Sequence, residues 1–263
     1  MTVTDIPAVR GKYERPKLSD QPGVVALPTT EIGRFMLFTV SLCGTVQPQG
    51  SRLHVAASAN VIENCNSIIR DMGKNDAWLW LLGDDHVWPG ETLMTLLHTM
   101  DDHPEIDILV PLVAKRNPPW HLVLYHLLDD VRDENGIQML RAYEWTEIPE
   151  EGVFQVDAAG SAGMLVRRHV LDTLGDPWFN STPDLEGRQV VMNEDITFCL
   201  RAKEAGFNVW ATTAATMGHL GIYNVRPVFR EGRWGCLTEF SSAEEQFKHL
   251  FMPLEDEQIK VLA

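Results

Sequence analysis

Three short polar runs in this chain carry side chains suited to a reaction. The first, Asp84-Asp85-His86, follows the apolar run Ala77-Trp78-Leu79-Trp80-Leu81-Leu82. A strand buried on both faces does not end on two acids for reasons of packing, because unpaired carboxylates are costly to desolvate. At the mouth of a parallel sheet such acids can hold a hard cation, manganese or magnesium, against a diphosphate. The cation would stabilise the charge that develops on a departing diphosphate. The same residues also suit a solvated turn in which one acid caps the next helix. The second run, Asn193-Glu194-Asp195, opens a predicted helix. The helix dipole is sufficient reason for acids in a first turn, and the functional alternative is a general base for an acceptor hydroxyl. The third, Gly218-His219-Leu220-Gly221, follows a predicted strand. Its glycines let the backbone approach a ligand, and imidazole is a common ligand for manganese-like ions. A lone histidine is equally an ordinary structural residue.

The elements that must hold these runs alternate between strand and helix. Apolar runs at 24–28, 53–57, 77–82 and 106–112 read as strands. Between them lie predicted helices at 31–46, with Thr30 as its cap, at 60–72 and at 90–100. In the second of these Ile62, Cys65, Ile69 and Met72 form one stripe, and Gly73 ends it. This alternation predicts an α/β fold with an open parallel sheet, in which ligands bind beyond the carboxyl ends of the strands. The second half differs. Residues 121–127 and 138–145 alternate like antiparallel strands around Glu134-Asn135-Gly136. A strand from 154 leads through Gly160-Ser161-Ala162-Gly163 into Met164-Leu165-Val166. Helices follow at 169–174 and 194–205, then a last strand at 208–212 and a final helix near 243–251. We read 1–22 as an N-terminal arm, 23–221 as one catalytic domain with a smaller antiparallel lobe on the acceptor side, and 222–263 as a tail or lid ending in that helix.

Composition narrows the function. The chain has 263 residues and a formal net charge of -15. A surface this acidic repels phosphate backbones, so broad nucleic-acid binding is not favoured. The cysteines at 43, 65, 199 and 236 form no Cys-x-x-Cys pair and read as free thiols in a reducing cytoplasm. The N-terminus lacks a charged-then-apolar signal pattern, and the apolar stretch at 35–46 is too short and polar to span a bilayer.

In this order and spacing the three runs resemble the GT-A glycosyltransferases, especially the compact bacterial and bacteriophage members of glycosyltransferase family 2. The resemblance spans about residues 24 to 221 and rests on "WLWLLGDDHVWPGETLMTLL", "VPLVAKRNPPWHLVLY", "VDAAGSAGMLVRRHVLDTLGDPWF", "NEDITFCLRAKEAGFNVW" and "MGHLG". It implies a GT-A, Rossmann-like sheet and transfer of a sugar from a nucleoside-diphosphate donor, a UDP-sugar being favoured. It also implies a Mn2+ or Mg2+ cofactor and a location in the cytoplasm, the host's if the chain is phage-encoded. Gly83-Asp84-Asp85 occupies the Asp-x-Asp position, with Asp85 as direct metal ligand and Gly83 where the family has its first acid. Asp84 or His86 is placed to compensate; in extended chain these two would share a face, with Asp85 on the other. His219 matches the histidine that often completes the metal site. Asp195 matches the base of inverting members, with Glu194 beside it. Pro28, Thr29 and Asn66 fall where the nucleotide is held, and Asp84 near the donor. Arg116, after the fourth strand, suits contact with donor or acceptor as well as an exposed loop, and Gly160-Ser161 suits a close approach beside the sugar or acceptor as well as a small-residue bend.

Several readings stay open at this level. Trp120, Trp178 and Trp234 are free to stack on a sugar or base, while the tryptophans at 78, 80, 88 and 210 read as core. Arg226, Arg230 and Arg233 suit either a flap over a diphosphate or a solvated loop. The acceptor hydroxyl belongs to a glycan, a protein or a modified nucleobase, including hydroxylated-base DNA. A nucleotide-sugar binding protein without catalysis would fit Gly83. A sugar nucleotidyltransferase would need a glycine-rich basic loop after the first strand, and Pro28-Thr29-Thr30-Glu31-Ile32-Gly33-Arg34 matches that poorly.

Overall fold

The structure is a computed structural model and describes residues 16–29, 35–116, 120–132, 138–183, 190–220, 224–230, 232–240 and 248–252. The first strands are β1 (Val24–Thr29), β2 (Arg52–Ala57), β3 (Trp78–Leu81), β4 (His86–Val87) and β5 (Ile108–Val113). Next come β6 (Leu124–Arg132), β7 (Gln138–Ala142), β8 (Val153–Val156), β9 (Ala158–Ala159) and β10 (Leu165–Arg167). The rest are β11 (Thr182–Pro183), β12 (Val190–Met192), β13 (Val209–Leu220), β14 (Asn224–Arg230), β15 (Arg233–Phe240) and β16 (Lys248–Met252). The helices are α1 (Met36–Gly44), α2 (Val61–Arg70), α3 (Thr92–Asp102), α4 (Arg168–Leu174) and α5 (Glu194–Glu204).

The main sheet runs in the order β16-β15-β14-β13-β5-β10-β3-β1-β2, with β4 and β8 also pairing with β13. β1 is parallel to β2 and β3, and β13 is parallel to β5. The expected parallel frame is therefore present, with one correction. The run Met164-Leu165-Val166, expected in the second lobe, enters the centre of the sheet as β10, antiparallel to both β3 and β5. Its composition permits this: Leu165 and Val166 are fully buried, so the strand can be covered on both faces. A separate three-stranded sheet, β7-β6-β9, forms the smaller antiparallel lobe.

Side-chain alternation sorts the strands into two cores. Val24, Ala26, Leu79, Leu81, Ile108 and Val166 face one side, against Ile68 and Ile69 of α2, Leu171 of α4 and Phe198 of α5. Val25, Leu27, Trp78, Trp80, Leu109 and Leu165 face the other, against Phe38 of α1 and Leu93, Leu97 and Met100 of α3. This is the period of two that a strand imposes on its side chains. The buried indoles keep partners: Trp78 donates to the Gln21 carbonyl and Trp80 to that of Gly163, each at 3.0 Å.

The two ends of the chain differ from expectation in part. At the described start, Leu18 is buried and the Asp101 carboxylate accepts from its backbone N–H at 2.6 Å, which straps this segment to α3. Thr30 and residues 31–34 lie outside the described residues, and the helix expected there is seen from Met36. The turn at residues 134–136 also lies outside them. The final helix is corrected: Lys248–Met252 pairs with β15 as strand β16, and 243–247 lie outside the described residues. Pairing with an existing sheet edge satisfies the backbone groups that a helix would satisfy internally.

Gly163 governs the entry into β10. Its φ is +78°, and a Cβ there would lie 2.4 Å from Met217 Sδ and 2.6 Å from Pro111 Cγ. Gly206, which ends α5 at φ +92°, would meet nothing within 4 Å. Gly206→Ala is expected to cost about 1 kcal/mol of left-handed strain. Gly163→Ala adds overpacking to that strain and is expected to cost roughly 2–4 kcal/mol. Urea midpoints of the two variants check this; equal losses would remove the steric part.

Candidate active site

The chain leaves β3 at Leu81, passes Leu82 and Gly83, turns at Asp84-Asp85 and becomes strand again at His86. The turn corrects the extended geometry considered from sequence. Asp84 and Asp85 separate: the Asp84 carboxylate accepts from the Thr29 hydroxyl at the end of β1, while Asp85 lies with His86. β4 then pairs antiparallel with β13, setting His86 opposite His219 and Val87 opposite Gly218. The Leu220 N–H donates to the Asp85 carbonyl at 2.6 Å and closes the turn onto β13. His219 thus lies within a long strand, not in a loop after one; β13 continues eight residues beyond the expected end at 212, to Leu220.

This register makes a cluster. The rings of His86 and His219 stack with centroids 4.2 Å apart. Asp85 Oδ1 lies 2.8 Å from His86 Nδ1, and Oδ2 lies 3.2 Å from His219 Nε2. One ligand atom from each of Asp85, His86 and His219 falls within 4.8 Å of the others. On its other side His219 Nδ1 sits 3.2 Å from the Ala114 carbonyl. A carbonyl only accepts, so Nδ1 donates to it, which leaves Nε2 as the nitrogen facing the carboxylate. His86 Nδ1 is buried and makes no hydrogen bond of acceptable geometry despite its short approach to Asp85. Burial holds its basicity below the usual histidine range, against the pull of Asp85, so the imidazole stays neutral. Burial alone would raise the Asp85 carboxyl, but the two imidazoles beside it, His219 foremost, outweigh that and hold it below the usual carboxylate range. A carboxylate and two imidazoles gathered this closely suit a divalent cation.

Gly83 belongs to this geometry. A Cβ there would lie 2.6 Å from His86 Nδ1 and 3.1 Å from Asp85 Oδ1. The imidazole fills the space that an acid at position 83 would need. Of the two residues placed to compensate, His86 is the one brought to the cluster, and Asp84 is engaged elsewhere.

His86 and His219 line a cavity of about 220 Å³, together with Pro28, Cys65, Gly160, Ser161 and Asp195. Asp195 sits in the first turn of α5, where the Ile196 N–H donates to its Oδ1 at 2.8 Å. Burial and the neighbouring Glu194 charge raise its carboxyl to about 6, against the lowering effect of the backbone donors of Ile196 and Ser161. A base so poised works near neutral pH. Nearby Cys65 and Tyr125 are both pushed up to about 12 by burial and stay protonated. Gly160 lets the backbone pass beside Val123 and the Asp195 carboxylate; its absent Cβ would be 3.7 Å from Asp195 Oδ2.

The remaining sequence-derived residues divide. Glu194 is adjacent to Asp195 but not in the cavity lining. Thr29 is buried and tied to Asp84. Arg116 donates to Asp85 Oδ2 at 2.9 Å. Asn66 is turned to a structural role: it is buried, its Nδ2 donates to the Phe179 carbonyl and its Oδ1 accepts the Phe179 N–H, both at 2.9 Å. A side-chain amide satisfied twice by the backbone of one residue has its main polar atoms committed away from a nucleotide. Its neighbour Cys65 lines the cavity instead. Trp234 is buried and donates to the Pro149 carbonyl, and Trp178 donates to that of Leu171. Arg226, Arg230 and Arg233 stand on the paired strands β14 and β15. Sequence reasoning missed Asn64, whose amide donates to the Thr29 carbonyl at 2.9 Å and fixes the end of β1. It also missed the Ala114 carbonyl that orients His219; nothing in the sequence marks a backbone oxygen for that task.

Comparison with known proteins follows the same lines. No curated protein sequence matches the chain. Among solved structures, A197 from STIV is 13% identical, with a TM-score of 0.45 over 90% of this chain and 98% of that one. GalNAc-T7, solved with UDP, GalNAc and Mn2+, is 10% identical, with a TM-score of 0.51 over 81% of this chain and 44% of that one. The present chain thus spans less than half of GalNAc-T7, and the likeness concerns the GT-A fold. The sequence model described as "Glycosyltransferase like family 2" matches residues 45–236, well over half of the chain. Asp85, His86, Asp195 and His219 all lie inside that match, and the chain belongs to this glycosyltransferase family 2-like group, with a GT-A fold.

Proposed function

We propose that the protein moves a sugar from a nucleoside-diphosphate donor, a UDP-sugar in first preference, to an acceptor hydroxyl with inversion at the anomeric carbon. The observation that carries this reading is that Asp195, His86 and His219 line one and the same cavity. Asp85, His86 and His219 would hold the divalent cation, manganese or magnesium. When bound, that cation neutralises negative charge on the diphosphate. Asp195 takes the proton of the acceptor hydroxyl. The acceptor oxygen bonds to the anomeric carbon as the bond from that carbon to the diphosphate oxygen breaks, and the electron pair leaves with the diphosphate. Displacement from the opposite face inverts the configuration. Gly160 and Ser161 leave room for the reacting groups beside the base. GalNAc-T7 was solved with UDP and Mn2+, which supports the donor and metal classes proposed here. No helix among the described residues is long and apolar enough to cross a membrane. The acceptor is a glycan, a protein or a modified base; the net charge of -15 disfavours duplex nucleic acid.

The direct test is a panel of nucleotide sugars with Mn2+, reading nucleoside diphosphate released without an acceptor. Slow hydrolysis of one donor, abolished by a chelator, is expected; no release from any donor would count against the reading.

Asp195→Asn is expected to keep donor binding and lose transfer by roughly a hundredfold to ten-thousandfold. The native rate should fall as pH drops through about 6, the value for Asp195. Because folding raises this carboxyl, its ionisation opposes the folded state: the stability it permits is full below the unfolded value and declines as pH rises through about 6. Asp195→Asn should therefore melt at a higher temperature than the native chain at pH 8. A stable variant with nearly full transfer would falsify the assignment.

The metal is tested separately. His219→Ala is expected to raise the Mn2+ needed for half-maximal donor turnover by at least about tenfold, with the fold retained by circular dichroism. Asp85→Ala should weaken Mn2+ binding more than Asp84→Ala, since Asp84 is bonded to Thr29. The reverse order would reassign the ligand.

A further inference from the structure

Arg116 forms an ion pair with the carboxylate that the metal reading requires. Its Nη1 donates to Asp85 Oδ2 at 2.9 Å, and the same oxygen lies 3.2 Å from His219 Nε2. The guanidinium therefore occupies one approach to the oxygen through which Asp85 and His219 would share a cation. Two positive groups on one carboxylate oxygen repel each other, and Asp85 carries only one charge to hold them.

The arm is built to move without disturbing the fold. The Arg116 side chain is 39% exposed, against 18% for Asp85. Its backbone is fixed at both sides: the Trp120 indole donates to the Arg116 carbonyl at 3.2 Å, and Lys115 N–H donates to the His121 carbonyl at 2.8 Å. A fixed root with a half-exposed head lets the guanidinium leave Asp85 by side-chain rotation alone.

We propose that Arg116 and the divalent cation compete for Asp85, and that the guanidinium released by the cation passes to the diphosphate of the donor. This rests on the metal-dependent, nucleotide-sugar reading given above. In the metal-free chain Arg116 balances the partly buried Asp85 charge. A cation alone must evict it into solvent, so metal alone binds weakly. A diphosphate brings negative charge that recovers the guanidinium through charge-assisted hydrogen bonds. Cation and diphosphate then favour each other's binding, and by linkage the benefit is mutual. Arg116 is thus a positioning residue that makes the two ligands enter as a unit.

The test measures binding, not turnover. Mn2+ affinity of the full chain is followed by electron paramagnetic resonance, and UDP affinity in saturating Mn2+ by calorimetry. R116Q is expected to bind Mn2+ alone about tenfold more tightly and UDP with Mn2+ about tenfold more weakly. Effects of opposite sign separate this role from mere damage, which weakens both. R116K keeps the charge and is expected to follow the native chain in both measurements. Unchanged or weaker Mn2+ binding by R116Q overturns the proposal, as does R116K behaving like R116Q. If the native chain binds Mn2+ and UDP but R116Q matches it, only the Arg116 inference falls. If neither chain binds Mn2+, with or without UDP, the metal reading falls as well.

Discussion

The site depends on one pairing, the antiparallel contact of β4 with β13 that sets His86 opposite His219. β4 is only two residues long and has little cohesion of its own. It is held because the turn at Asp84-Asp85 is closed by the Leu220 N–H on the Asp85 carbonyl and because Thr29 binds Asp84. Side chains on a strand alternate, so a slip of one residue would send His219 to the opposite face and leave the Asp85 carboxylate without its partner. The position of β13 is secured in turn by β5, with which it runs parallel before and after a register shift between Thr212 and Thr216. The shift lets one strand serve two tasks: its first half completes the core, and its second half carries His219 to the candidate site.

Two carboxylates in this fold are driven in opposite directions by their surroundings. Asp85 is partly desolvated, but His219 and His86 hold it ionised. Asp195 is desolvated beside another acid, and the backbone donors around it only partly compensate, so its carboxyl rises to about 6. In the proposed reaction the two would divide the work: a carboxylate held ionised beside the candidate metal site, and a proton acceptor poised near neutrality beside the cavity. The buried His86 matters as well. A protonated His86 would compete with any cation, and burial prevents that.

Small residues and committed amides keep these groups apart and in place. Gly83 gives its side-chain space to His86, and Gly160 gives its own to the surroundings of Asp195. Asn66 spends its amide on Phe179, and Asn64 on the end of β1, so that α2 is bound to the sheet mouth at one point and to the 178–180 segment at another. The aromatic pair Phe179–Phe198, stacked at 4.6 Å, carries that attachment into α5 and so beneath Asp195.

Much of this was legible in the sequence. The unbroken apolar runs Val24-Val25-Ala26-Leu27 and Trp78-Leu79-Trp80-Leu81 marked strands covered on both faces, because burial on both sides accounts for such apolar density. Two acids and a histidine at the end of such a strand marked the site, and the helix opened by Glu194-Asp195 was placed within a residue or two. What the sequence could not decide was everything that depends on which segment lies beside which. Nothing local tells Leu165-Val166-Arg167 to enter between β3 and β5, since a buried strand reads the same in either direction. Nothing local separates Asp84 from Asp85: the choice was made by Thr29 and His219, which lie 55 and 134 residues away in the chain. Asn66 and Cys65 exchanged their expected places for the same reason, since one step along a helix turns a side chain by about a quarter of a circle. Residue type and period fix what a segment is able to do, whereas the partner across a strand pair or a cavity is a long-range contact that exists only once the chain has folded.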